Sequence, residues 1–374
     1  MDIERDDNGT PVKIRMLKPA DMHQHLRRGS MLKTLMPLLI PRFHCGIVMP
    51  NTVPPITTAK MVEEYYNEIS TAIEALDDEF PWDTFAPHMT MYLTDSLDPT
   101  EVLTVLHEIL GIKYYPRGLT TNSDSGVENP ASLWTRGTRP YECLRLLAKS
   151  RPALLLHAAD GVDASGRELD PYDQEPHFIR ETLPRIIDAH PDIRISVEHL
   201  STKEGAEFIA RHGSSRLGCS LTAHHLLLDR RDVFRGGFHP HRDWRPVIQR
   251  REDKEALRKL ASQGFPFVWL GSDSAPHPRS KKESDCCASG VLMAHAGIEL
   301  YVEAFEDMDA LDKLERFACI NGPRFFATAT VGQHITFVRE EWAVQPFFAE
   351  GIEVVPFRLG EKIRWKLEPR LEGD

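Results

Sequence analysis

Two histidines one residue apart, His23 and His25, stand in the run Asp21-Met22-His23-Gln24-His25-Leu26-Arg27. In a strand, successive side chains alternate faces, so both imidazoles point the same way. One face then carries two ligands for one metal ion. Arg27, just past the strand end, can hold an anion beside that ion. The pattern points to a metal site that works on an anionic substrate.

Such a site needs elements that bring more ligands to the same place. Short apolar runs alternate with helical patterns along most of the chain. The runs predict strands near 12–17, 43–49, 85–93, 111–115, 153–157, 194–199, 217–221 and 267–271. Helices are expected over 60–76, 100–109, 140–148, 177–189, 203–211 and 249–263. Strand and helix repeated to eight strands is the pattern of an α/β fold, a (β/α)8 TIM barrel. No Ser/Gly linker or composition break marks a second domain, so residues 1–374 read as one barrel domain. Residues 331–374 read as a C-terminal appendage of short strands.

A barrel places its active site at the C-terminal ends of the strands. The reactive residues fall there. The first strand ends with His23 and His25 and the second with Asn51; the fourth contains Lys113. His157 and His199 end the fifth and sixth, His224-His225 follow the seventh, and Asp273 follows the eighth. A lone His157 or His199 is ordinarily a hydrogen-bonded core residue. Facing an H-x-H strand, the two read as further ligands. Four neutral imidazoles with Asp273 suit zinc or a similar borderline metal.

Lys113, in GIKYYP, has two readings. One is a snorkelling or salt-bridged lysine. The other is a lysine of depressed pKa that has combined with carbon dioxide, giving a carbamate able to bridge two metals. Asp273, in GSDSAPH, reads either as a turn cap or as a metal-bound carboxylate that shuttles a proton. Two divalent ions set against a carbamate, Asp273 and a hydroxide leave a slightly positive centre, which favours an anionic substrate.

Net charge is −11, with no block of consecutive lysines or arginines, which argues against a nucleic-acid-binding face. No run approaches a membrane span and the N-terminus is polar, so a cytoplasmic protein is expected. Six scattered cysteines without a C-x-x-C pair do not suggest a disulfide framework, and Cys286-Cys287 reads as a reduced loop pair. His239 and His241, in HPH, fall in a long loop and read as structural.

DMHQHLR, MPNTVPP, IKYYP, TTNSDSGV, VEHLSTK, LGSDSAPH and INGP, in that order, resemble the monofunctional dihydroorotases of the amidohydrolase superfamily. The likeness runs from about Leu17 to Arg364. It implies two zinc ions per subunit. One would be held by His23, His25 and Asp273 and the other by His157 and His199, with carboxylated Lys113 and a hydroxide bridging both. It implies that Arg27, Asn51 and His277 bind the substrate carboxylate. Thr120 and Thr121 would lie on a loop that closes over the substrate, bracketed by Gly118 and Gly126 in a way that permits movement. Leu226 would contact the pyrimidine ring through its backbone, and Ser289 would touch substrate. Asp273 would be the catalytic acid and base. The implied reaction is the reversible cyclisation of N-carbamoyl-L-aspartate to L-dihydroorotate in pyrimidine biosynthesis, and the family is commonly dimeric.

The chain departs from the family pattern at Met22, where tryptophan is usual, and at Arg28, where an acid is usual. Ala158-Ala159 stands in place of Gly-Glu, and the order within CCASG differs. None of these removes a ligand. Two rival readings are a hydantoinase or allantoinase, which would add a larger β-sandwich from both termini, and an inactive scaffold, which would be expected to lose ligands.

Overall fold

The computed structural model describes residues 1–81, 85–148 and 150–369. Eight strands form one parallel sheet: β3 (Ala20–Gln24), β4 (Cys45–Val48), β5 (Ala86–Leu93), β6 (Ile109–Tyr114), β7 (Ala153–Leu156), β8 (Ile195–Val197), β9 (Leu217–Leu221) and β10 (Val268–Leu270). They pair in chain order, and a bridge between Gln24 and Ser274 brings the first strand against the last. The result is the expected barrel with helices between its strands. Threonines set several helix starts: Thr58 accepts from Met61 N, and Thr202 accepts from Gly205 N. A helix at Gly29–Leu39 was not expected from the sequence, because Pro37 inside it breaks the usual pattern.

The first barrel strand is not the run 12–17. That run is β2 (Pro11–Leu17), which pairs antiparallel with β1 (Asp2–Arg5) outside the barrel. Burial separates the two strands. β2 has mixed exposure, whereas every residue of β3 is buried, as a parallel barrel strand requires. Pro19 stands between them and cannot donate to either ladder.

The C-terminal residues are also more than an appendage. β11 (His334–Val338) pairs with β2, and β16 (Lys366–Leu367) pairs with β11, giving a four-stranded sheet built from both ends of the chain. Two short hairpin pairings lie between them: β12 (Trp342–Ala343) with β15 (Lys362–Ile363), and β13 (Phe347–Ala349) with β14 (Ile352–Val354). Bridges from Pro278 to Val354 and from Leu292 to Pro356 tie this region to the loop after β10. No described helix is long and apolar enough to cross a membrane.

His295 sits where barrel and C-terminal region meet, its ring edge-on to Trp342 at 6.4 Å between centroids. Burial, helped by the Arg42 charge, lowers its pKa to about 3. An unfolded histidine titrates near 6.5. The depressed group therefore contributes stability that is complete above pH 6.5 and lost as pH falls toward 3. Urea midpoints measured from pH 7 to pH 4 are expected to fall in the wild type and to fall less steeply in His295→Leu. Equal slopes would exclude this ring as a cause.

Candidate metal centre and active site

The barrel closes where β3 meets β10. Asp273 N donates to His23 O at 2.9 Å, and His25 N donates to Ser274 O at 3.1 Å. The Asp21 carboxylate, wholly buried, accepts from Ser272 N at 2.8 Å, His23 N at 3.1 Å and Gln24 Nε2 at 2.6 Å. This seam sets three side chains together. Ligand atoms of His23, His25 and Asp273 all lie within 4.8 Å of one another. Asp273 Oδ1 is 3.0 Å from His25 Nε2 and 3.4 Å from His23 Nε2.

His157 follows β7 and His199 follows β8. Their Nδ1 and Nε2 atoms are 3.1 Å apart, and the His199 ring centre lies 5.0 Å from that of His23. The two donor groups therefore adjoin. Burial lowers the pKa of His25 to about 4 and that of His157 to about 3, and holds His199 well below its ordinary value. Neutral imidazoles present lone pairs, the form a metal needs.

Lys113 on β6 is fully buried, and its Nζ has no hydrogen-bond partner among the described residues. It neither snorkels nor pairs with a carboxylate. Burial lowers its pKa to about 8, opposed by the charges of Glu198 and Asp273. An amine buried without a partner is costly. Its position among His23, His157 and His199 makes it part of the same centre.

Three of these residues carry backbone strain. Arg27, His199 and Asp273 have φ of 59°, 41° and 49°. Such values cost a non-glycine residue about 1–3 kcal/mol and persist only where the surroundings impose them. The seam imposes the Asp273 conformation. Ser220 Oγ accepts from His199 N at 2.8 Å, and Tyr65 Oη donates to Arg27 O at 2.6 Å.

The centre opens into a cavity with only about 20 Å³ of free space, also lined by Arg27, Asn51, Thr120, Thr121 and Ser289. Asn51 Oδ1 lies 2.7 Å from His25 Nδ1, so this side chain orients a histidine as well as facing the cavity. His277 stands behind Arg27, with Nε2 3.0 Å from Arg27 Nη2. The loop bearing Thr120 and Thr121 is shut. Thr121 Oγ1 donates to Ser289 O at 3.1 Å and accepts from Ser289 N at 2.9 Å. Gly118 has φ of 75°, which suits a turning point. Gly126 is no hinge: a Cβ there would meet Tyr115 O at 2.4 Å, so glycine serves close packing where the loop is anchored.

Leu226 does not reach the cavity. It is fully buried in the hydrophobic core, on the short helix Ala223–Leu227. His224 is likewise withdrawn, stacked on Trp244 at 4.3 Å. The segment after β9 contributes Arg245 to the cavity instead. Sequence reasoning missed Arg245 because only the path of a long loop brings it there. It also missed Glu198, fully buried, whose Oε2 lies 2.6 Å from His23 Nδ1 and accepts from Ser220 Oγ at 3.1 Å. Glu198 holds His23 with Nε2 toward Asp273. The available signal was an acid beside His199 inside an apolar strand. His239 and His241 are engaged separately, with Arg235 O and Glu283, and form no pair.

No protein-family model matches the chain. Curated relatives do. A dihydroorotase of Pseudomonas aeruginosa is 39% identical over 358 residues, covering 95% of this chain and 98% of its own. The chain belongs to the dihydroorotase family. The crystal structure of the dihydroorotase of Campylobacter jejuni superposes with a TM-score of 0.83 at 29% identity, covering 96% of this chain and 98% of that one. That of Saccharomyces cerevisiae, solved in complex with 5-fluoroorotic acid, also gives 0.83, at 28% identity, and covers 96% and 100%.

Dihydroorotases are metal-dependent amidohydrolases, and the donors here fit a divalent cation: clustered imidazoles, an acid, and a lysine whose Nζ has no hydrogen-bond partner among the described residues. Met22, one departure from the family pattern, packs where a Cβ on Gly322 of INGP would approach its Cγ to 2.5 Å. In the same motif Asn321 donates to Phe265 O and Val268 O at 2.8 and 2.9 Å, pinning the start of β10. Thr121→Val removes both bonds to Ser289. Amide exchange over residues 119–123 is then expected to quicken about tenfold while exchange in the barrel strands is unchanged. Equal protection of that loop in both proteins would show that another contact holds it shut.

Proposed function

We propose that the chain interconverts N-carbamoyl-L-aspartate and L-dihydroorotate, forming or opening the ring amide with loss or uptake of water in pyrimidine biosynthesis. The observation that carries this reading is the clustering of His23, His25 and Asp273 beside His157, His199 and the buried Lys113, under a wall bearing Arg27. His23, His25 and Asp273 would hold one zinc ion, and His157 and His199 a second. Lys113, once its amine has added carbon dioxide and released a proton, becomes a carbamate with two oxygens that would bridge them. When bound, the ions supply Lewis acidity to the ring carbonyl and a water held as hydroxide near neutral pH.

The remaining roles belong to the side chains. Arg27 presents a planar fork that suits a carboxylate, with Asn51 on the same wall. His277, bonded to Arg27, would complete that carboxylate site. In the hydrolytic direction Asp273 takes the proton of the attacking water and delivers it to the departing ring nitrogen. Its place 3.0 Å from His25 supports this, because it sets the carboxylate beside the ligand atoms of the centre. Thr120, Thr121 and Ser289 close the cavity against water. With about 20 Å³ free, the loop must open to admit substrate. A cytoplasmic homodimer is the assembly we associate with this role.

Metal-loaded protein assayed in both directions, with hydantoin and allantoin alongside, tests the reading. Turnover of dihydroorotate and carbamoyl-aspartate alone is expected. Turnover of hydantoin or allantoin without dihydroorotate would overturn it. Lys113→Ala is expected to lose bound metal and nearly all activity, and a short carboxylic acid is expected to restore part of both. Full activity in that variant would sink the carbamate.

A further inference from the structure

Arg28 stands where the family pattern has an acid, and it is the N-cap of the helix Gly29–Leu39. An acid there would accept from the free N–H groups of the first helical turn. Arg28 makes no such bond, and the first turn holds no acid. The carboxylate comes instead from a second helix, Ala59–Glu74, which follows β4. Glu68 Oε1 accepts from Gly29 N at 2.7 Å, and its Oε2 accepts from Arg28 Nε at 2.6 Å. Three residues earlier on that helix, Tyr65 Oη donates to Arg27 O at 2.6 Å. The Arg28 guanidinium lies over the Tyr65 ring, 5.5 Å from its centre. Residues three apart on a helix share a face, so Tyr65 and Glu68 meet the end of β3 together.

These bonds fall on the two peptide groups that flank Arg28. Arg27 O belongs to the first and Gly29 N to the second, and each peptide group is rigid and planar. Both neighbours of Arg28 are in the left-handed region, Arg27 at φ 59° and Gly29 at φ 62°. Glycine adopts that conformation freely and arginine does not. Fixing both peptide groups holds the Arg27 backbone in the conformation that brings its side chain to the cavity wall. The tip of Arg27 is held separately, with Nε donating to Pro276 O at 3.1 Å and Nη2 lying 3.0 Å from His277 Nε2. We propose that Tyr65 and Glu68 are positioning residues for substrate recognition, which act through Arg27 by fixing the peptide groups on either side of Arg28. This rests on the dihydroorotase reading, in which Arg27 meets the substrate carboxylate. Neither Tyr65 nor Glu68 lines the cavity. Glu68 returns from a neighbouring helix the negative charge that an acid at position 28 would supply.

Steady-state rates on dihydroorotate are measured for wild type, Tyr65→Phe, Arg27→Met and the double variant, with metal content and urea midpoint taken on each. Tyr65→Phe is expected to raise KM about fivefold to tenfold, with kcat within about twofold and metal content unchanged. In the Arg27→Met background the same change is expected to cost less than about twofold in kcat/KM, because the group it positions is gone. An unchanged KM in Tyr65→Phe, or the same loss in both backgrounds, would overturn the assignment. Glu68 is tested by rescue. Glu68→Ala is expected to raise KM by a similar factor, and adding Arg28→Asp, which returns an acid to the N-cap, is expected to recover most of the loss. No recovery in the folded double variant would overturn the part given to Glu68. If Glu68→Ala does not fold, Glu68→Gln takes its place and is judged by the same two outcomes. Wild-type protein without turnover of dihydroorotate would overturn the parent reading instead, and its own rate reveals that.

Discussion

The bond from Asp273 N to His23 O joins the first barrel strand to the last, and the active site is arranged around that seam. Without it and the neighbouring bond from His25 N to Ser274 O, β3 would have a partner on one edge only, and an open edge inside a barrel leaves backbone groups unsatisfied. Asp21 reinforces the closure by accepting from both sides, from His23 N and from Ser272 N. The same closure turns Asp273 into a left-handed conformation and sets its carboxylate against His23 and His25. Fold closure and ligand assembly are one event, so the strain at Asp273 is sustained by the ladder that completes the barrel.

Around this seam the barrel interior holds more acid than an apolar core tolerates. Asp21, Glu198 and Asp273 are all buried within reach of the same histidines, and Lys113 is buried among them. Buried charges persist when they are hydrogen-bonded and compensated. Ser196, Ser220, Ser272 and Gln24 supply the hydrogen bonds. Divalent cations supply compensation of the right sign, which is the electrostatic reason the donor set fits them. Glu198, bonded to His23 Nδ1, brings a further negative charge close to the centre that ligand motifs alone do not reveal.

Much of the site was legible because strand ends and ligand chemistry leave local marks. H-x-H at His23 and His25 needs only the two-residue period of a strand. His157 and Asp273 follow directly from apolar runs that became β7 and β10. Where the sequence reading slipped, a long-range contact made the difference. The run 12–17 looks like a barrel strand, yet β2 finds its partners in β1 and β11, the latter more than three hundred residues away. Leu226 sits next to conspicuous histidines but turns into the core, while Arg245 enters the cavity from the loop beyond. Gly126 looks like a hinge in the sequence, and only the approach of Tyr115 O shows that it is a packing position.

By itself the sequence determined the barrel class, the identities of the clustered side chains and the family, because alternating apolar runs and ligand spacings are local properties of the chain. Tertiary structure decided which strand opens the barrel, which side chains face the cavity, and how the histidines are oriented. Those depend on sheet closure and on contacts between residues far apart in the chain, such as Glu198 with His23 and Ser289 with Thr121. No period or motif in the sequence encodes such contacts, since each exists only once the barrel has closed.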